Sequence, residues 1–185
     1  MQPETALSEL KTERLVLRPV RTADAARIAE LIGNWNVIRW LAMPPYPYQL
    51  KDAEDFITRT LNREPTGEIC SLAITCEDAL IGHVGYGGQR DSSKVLIGYW
   101  LGEPYWGKGY MSEALDASLA HYFATTDADE IFSGILTGNS ASLRIQEKLG
   151  FEVIGESEIF CVPRGQTLTH LDTRLSRKRY GDRRQ

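Results

Sequence analysis

Apolar residues recur along this chain with two periods, and the change from one to the other marks out the elements. Over 110–124, Met111, Ala114, Leu115, Ser118, Leu119, Tyr122 and Phe123 follow i, i+3, i+4 spacing and predict an amphipathic helix. Ala53, Phe56, Ile57, Thr60 and Leu61 do the same over 51–61, and Thr22-Ala23-Asp24 opens a helix over 23–32. A helix over 140–148 has Ala141, Ile145 and Leu149 on one face, Asn139 or Ser140 as its cap, and Gly150 at the left-handed position after its end. Alternating or short continuous apolar runs predict strands over 14–19, 69–75, 80–89, 95–101, 131–136, 151–160 and 168–177. Met43-Pro44-Pro45-Tyr46-Pro47-Tyr48 is too rich in proline for a helix or a central strand and reads as a stiff aromatic loop. Strands first, with helices interspersed, give a mixed α/β domain around one twisted sheet, without internal repeats.

The densest chemistry lies between Ile97 and Ala114. A short apolar strand runs into Trp106-Gly107-Lys108-Gly109-Tyr110-Met111-Ser112-Glu113-Ala114, a glycine-punctuated loop that opens a helix. Such a loop presents unpaired N–H groups where the peptide dipoles favour negative charge, and glycine lets backbone approach a phosphate closely. Gly102-Glu103-Pro104-Tyr105-Trp106-Gly107-Lys108-Gly109 is not a triphosphate loop, because Gly109 has no hydroxyl for magnesium and Pro104 lacks an N–H. Nor is it a dinucleotide fingerprint: Ser112 stands at the third glycine, and no βαβ repeat surrounds it.

The loop resembles the acyl-CoA pyrophosphate loop of the GNAT superfamily of N-acetyltransferases, [RQ]-x-x-G-x-[GA]. Trp106 stands at the Arg/Gln position, Gly109 matches, and Met111 replaces the final small residue. The run from Tyr105 to Ala114 is similar to one common in the branch that acetylates ribosomal-protein N-termini. Asn139-Ser140-Ala141-Ser142 followed by Lys148-Leu149-Gly150-Phe151 resembles the family's N-x-x-S…K-x-G-F segment. Thr12-Glu13-Arg14-Leu15-Val16-Leu17-Arg18-Pro19 with Thr22-Ala23-Asp24 resembles the branch's opening strand and helix. These matches, in the family's order, span nearly the whole chain.

The resemblance implies one domain over 1–185, with a core over 12–177 and a basic tail over 178–185, its sheet splayed between the fourth and fifth strands around CoA. It implies acetyl-CoA as co-substrate, no metal, and transfer to a primary amine such as a peptide N-terminus or a small amine. Trp106, Gly107, Lys108, Gly109, Tyr110, Met111 and Ser112 would hold the pyrophosphate, with Tyr105 or Tyr110 also in reach of the ligand. Leu101 would offer backbone N–H to the thioester carbonyl, Asn139 would contact the CoA arm, and Ser142 would stand at the thiolate. The branch often has Glu two residues before the strand's Gly-Tyr-Trp; here that position is Leu96. Glu103, Glu68, Asp91 and His83 are the alternatives as base, Glu103 being nearest the loop. Trp35, Trp40 and Tyr46 are candidate walls of the acceptor site, and one of Tyr99 and Trp100 faces the cleft while the other packs the core. Met111 and Leu96 favour a competing reading, a non-catalytic CoA-binding or partner-binding module.

Bulk properties narrow the setting. The 185 residues suffice for one domain with a sizeable core, and a net charge of −4 without a broad basic excess argues against nucleic acid. No apolar run approaches a membrane span, and the polar start is unlike a signal peptide, so a cytoplasmic location is expected for a monomer or homodimer. Cys70, Cys76 and Cys161 form no C-x-x-C pair, and His83, His121 and His170 fall on different elements and read as structural or exposed rather than as metal ligands. The arginine-rich end, from Arg174 to Arg184, reads as a frayed, solvated terminus.

Overall fold

The computed structural model describes residues 9–62, 70–88 and 94–183. Glu68 and Asp91 lie outside the described residues, as do the outer ends of the strands expected over 69–75 and 80–89.

Strands β1 (Leu10–Lys11), β2 (Val16–Pro19), β3 (Cys70–Cys76), β4 (Ala79–Gly88) and β5 (Val95–Leu101) pair in sequence order, all antiparallel. Glu77 and Asp78 join β3 to β4 with φ of 49° and 64°, the twist that a two-residue hairpin turn demands. Helix α4 (Tyr110–Thr125) then crosses to β6 (Glu130–Leu136), which pairs with β5 in parallel. After α5 (Ser140–Leu149), strand β7 (Glu152–Cys161) forms the sheet edge, and β8 (Gln166–Ser176) returns between β6 and β7.

β5 and β6 share a single bridge, Leu96 with Phe132, and then diverge. The expected splay is therefore present, between the strands read at 95–101 and 131–136. The Gly102 N–H donates to the Ile81 carbonyl at 2.8 Å, which fixes how β5 faces β4. Because alternate residues point their backbone polar groups to opposite neighbours, Tyr99 and Leu101 turn their N–H groups toward β6, where pairing has ended. The gap thus has backbone donors on its wall.

Cores fill both faces. On one, α4 buries Met111, Ala114, Leu115, Ser118, Leu119, Tyr122 and Phe123, all seven positions of its expected apolar stripe. Each fully buried Leu contributes about 1.5–3 kcal/mol, so this helix and its N-terminus are firmly anchored. On the other face, α1 (Ala25–Ile32), α2 (Trp35–Ile38) and α3 (Leu50–Leu61) pack Ile28, Ile38 and Ile57 against Ala73 and Trp100.

Three expectations change. The first strand starts at Val16, with β1 added at the sheet edge ahead of it. The short α2 sits in the stretch read as connection, capped by the Asn34 side chain on the Asn36 N–H at 2.9 Å. The arginine-rich end is docked rather than frayed over its described residues, which run to 183. Arg177 donates to the carbonyls of Phe123, Thr126 and Ala128, satisfying the end of α4. Helix α6 (Arg177–Asp182) then buries Tyr180, whose hydroxyl donates to the Asp116 carbonyl at 2.9 Å. No helix among the described residues is long and apolar enough to cross a membrane.

Candidate active site

A cavity of about 1400 Å³ runs through the splay, from the start of α4 on one side to the α3 side of the sheet on the other. Sites for one small ligand are usually about 300–1,000 Å³, so this one has room for two reactants.

At one end, Gly107 and Gly109 adopt φ of +74° and +79°, left-handed values that a side chain resists. The first α4 backbone bond is Glu113 N–H to the Gly109 carbonyl. The N–H groups of Tyr110, Met111 and Ser112 therefore lack helical acceptors and face the cavity at the positive end of a 16-residue helix. A pyrophosphate fits these donors. Arg14, to which the sequence reading gave no role, locks the turn. Its guanidinium donates to the Lys108 carbonyl at 2.8 Å and to Glu113 at 2.7 Å. Burial opposes the Glu113 charge, but bonds from Thr12 and from the Arg14 backbone and side chain outweigh it and hold its pKa below the usual carboxylate range. Trp106, at the family's Arg/Gln position, spans the turn differently: its indole N–H donates to the Leu101 carbonyl at 2.7 Å.

In the middle, α5 faces β5. Asn139 Oδ1 accepts from the Ser142 N–H at 3.1 Å and starts the helix. Ser142 Oγ lies 2.6 Å from the Tyr99 hydroxyl, and Gln146 reaches both Tyr99 and Ser133 through its amide nitrogen, at 3.1 and 2.9 Å. Thr173 donates to Gln146 Oε1 at 2.6 Å, and Ser133 to the Ile97 carbonyl at 2.9 Å. Burial raises the Tyr99 pKa above its ordinary value despite these bonds, so the phenol stays protonated.

Past the sheet lie two histidines. His83 pairs with Ser71 Oγ at 2.7 Å beneath the Phe56 ring, and burial lowers its pKa to about 4, leaving it neutral. His170 Nδ1 stands 3.0 Å from Asp172 Oδ1, which also accepts from Ser157 at 2.9 Å. Both imidazoles line the cavity.

Most of the expected site residues meet here. Leu101, Trp106, Gly107, Gly109, Tyr110, Met111 and Ser112 line the cavity, as do Asn139, Ser142, Tyr99 and Trp40. The Met111 side chain also packs in the α4 core, so it leaves the loop donors clear. Trp100 is the ring in the second core, and Tyr99 reaches Ser142.

Four expected residues stand apart. Glu103 is tied down outside the cavity wall, its oxygens accepting from Asn34 at 2.5 Å and Asn36 at 2.8 Å; it holds α2 rather than acting as base. The Lys108 ammonium sits over the Tyr105 ring at 5.8 Å, and only the lysine carbonyl serves the loop. Trp35 and Tyr46 pack on each other with ring centroids 4.9 Å apart and planes tilted by 58°, exposed and off the wall. Missed by the sequence reading were Arg14, Gln146 and the His170–Asp172 pair; the last has a visible signal, the i, i+2 spacing that puts both on one strand face.

This geometry is that of the acetyltransferase (GNAT) domain, whose family model matches residues 14–152. The chain belongs to that family and its class is N-acetyltransferase. It is 26% identical over 176 residues to the ribosomal protein uS5-alanine N-acetyltransferase of Escherichia coli, covering 90% of each chain. An uncharacterised protein of Bacillus subtilis, YkkB, is 39% identical over 155 residues, 78% of this chain and 86% of its own. Among solved structures, Mycobacterium smegmatis RimJ in complex with CoA-disulfide shares the fold with a TM-score of 0.78 at 20% identity, over 89% of this chain and 82% of that one.

Proposed function

We propose that the protein transfers the acetyl group of acetyl-CoA to an α-amino group, by direct attack of the amine in a ternary complex. One observation carries this reading: a single cavity joins the α4 donor turn to the far face of the sheet through the splay. The pyrophosphate would rest on the N–H groups of residues 110–112 and the pantetheine arm would pass Asn139, whose Nδ2 has no partner among the described residues. The thioester carbonyl would meet the N–H groups of Tyr99 and Leu101, which support the charge that builds on oxygen. Ser142 would donate a hydrogen bond to the departing thiolate.

The acceptor follows from proton chemistry. An α-amine has a pKa of about 7.7–8.0 and a lysine amine about 10.4, so lysine needs about 3–4 kcal/mol more help to become neutral. Leu96 supplies no carboxylate where the branch often has one, which favours the more acidic amine. The name of the E. coli relative, an alanine N-acetyltransferase acting on a ribosomal protein, supports the same class.

Matched peptides test the reading, one with a free N-terminus and a blocked lysine, the other reversed, in competition for acetyl-CoA. Mass spectrometry should find the α-amine acetylated first. Faster lysine acetylation would overturn the acceptor class, and acetylation of neither would overturn transfer to a peptide α-amine.

A further inference from the structure

We propose that His170 is the general base that takes the proton from the attacking amine, with Asp172 as its positioning residue; this rests on the acetyl-transfer reading above.

Among the described residues, the other candidates for a base fall away on chemistry. Glu103 is held by two asparagine amides outside the cavity, and Leu96 cannot titrate. His83 lines the cavity, but its partner is a serine, and burial disfavours its protonated form so strongly that it is a feeble proton acceptor. His170 has what His83 lacks, a carboxylate behind the ring.

Placement agrees. Thr173 and Leu175 of β8 are buried toward the α4 side, so alternation turns His170 and Asp172 to the opposite, acceptor face. Although His170 pairs with Leu136, its ring leans over Gly134. A Cβ built on Gly134 would lie 1.7 Å from the ring's Cε1, so only glycine admits this pose. Gly134 is two residues along β6 from Phe132, and Gly98 is two along β5 from Leu96, the last bridged pair before the gap. A Cβ on Gly98 would meet nothing within 4 Å. The ring therefore borders the open mouth of the splay, beside a bare stretch of β5 on which an acceptor can lie.

The tautomer follows from the partners. An ionised carboxylate only accepts, so His170 Nδ1 carries the proton toward Asp172, and Nε2 presents its lone pair. No described residue occupies Nε2. As the amine nitrogen bonds to the thioester carbon and the carbon–sulfur bond breaks, CoA leaves as thiolate. The proton shed by the amine passes to Nε2, Asp172 stabilises the imidazolium, and solvent or the thiolate takes the proton afterwards.

The test is steady-state thiol release from acetyl-CoA with an alanine-initiated peptide as acceptor, and calorimetry of acetyl-CoA binding for each variant. His170→Gln should lower kcat about a hundredfold or more with acetyl-CoA affinity unchanged. His170→Ala should recover part of its activity on adding free imidazole. Gly134→Ala, which displaces the ring without touching its chemistry, should lose kcat in the same way. Asp172→Asn should lose about tenfold or more in kcat with little change in KM, and Asp172→Glu should recover part of it. Wild-type kcat in His170→Gln, or no rescue of His170→Ala by imidazole, would overturn the assignment while leaving acetyl transfer intact. Absence of amine-dependent thiol release from the wild-type protein would overturn the transfer reading and this base with it.

Discussion

The Tyr99 hydroxyl lies 2.6 Å from the Ser142 hydroxyl, and the atoms behind the pair decide which one donates. The Ile97 carbonyl can only accept, so Ser133 donates to it. Ser133 must then accept from Gln146, which identifies the facing Gln146 atom as nitrogen. That same nitrogen reaches Tyr99, so the phenol oxygen accepts there and directs its own proton to Ser142. Ser142 is left with its proton free for the cavity. Three buried residues, Ser133, Gln146 and Thr173, thus aim one hydroxyl hydrogen into the active site.

This direction predicts a coupled pair. A thiol of pKa about 8.5 leaves without full protonation, and a buried phenol does not give up its proton readily, so Ser142 helps as a hydrogen-bond donor. Ser142→Ala should lower kcat about 3–30-fold, short of the roughly 10²–10⁴-fold of a full general acid. Tyr99→Phe should cause a similar loss, and the double variant little more than either alone. Independent, multiplicative losses in that cycle would show that the two hydroxyls do not act together.

Arg177 supports α4 from behind. Its guanidinium makes charge-assisted bonds to three carbonyls around the helix end, each bond of this kind contributing about 1.5–3 kcal/mol, of which water recovers part when the side chain goes. Arg177→Ala should destabilise the fold by about 2 kcal/mol, a fall in Tm of about 4–8 °C for a chain of this size. Calorimetric melting checks it, and an unchanged Tm would mean that the docked end contributes nothing.

His83 sets a pH dependence of stability. Its pKa falls from 6.5 in the unfolded chain to about 4 in the folded one, because burial penalises the charged ring. The unfolded state therefore binds the proton first. Stability is fully present above about pH 6.5 and is lost as pH falls toward 4, by up to about 3 kcal/mol. His121 is shifted in the same direction, so comparison with a His83→Gln variant isolates the one ring. Urea unfolding at pH 7 and pH 4.5 should show a smaller pH-dependent loss in the variant; equal losses would contradict a buried, neutral His83.

Local order was legible in the sequence where it is local. The seven apolar positions of α4, the glycines of its entry turn and the caps of α5 each follow from spacing within a few residues. Long-range partnerships were not. Glu103 looked available beside the loop, but Asn34 and Asn36 come from some 70 positions earlier in the chain and claim both its oxygens. The four-residue α2 is too short to show a period. Arg177 and its neighbours read as solvated charge because the carbonyls they satisfy lie on other elements. His170 and Asp172 lie two residues apart on one strand, but only the insertion of β8 beside β6 brings them to the cavity.

Acetyl-CoA binding depends most directly on the turn at Gly107 and Gly109. Calorimetric titration of acetyl-CoA into the wild-type protein and Gly109→Val, with circular dichroism and melting to establish that the variant is folded, tests it. A valine at φ +79° must distort the turn and shield its N–H donors, and losing even one hydrogen bond to a charged oxygen is worth about 1.5–3 kcal/mol. Acetyl-CoA should bind clearly to the wild-type protein and at least tenfold more weakly to the variant. Equal affinity in a folded Gly109→Val, or no binding to the wild-type protein, would contradict that dependence.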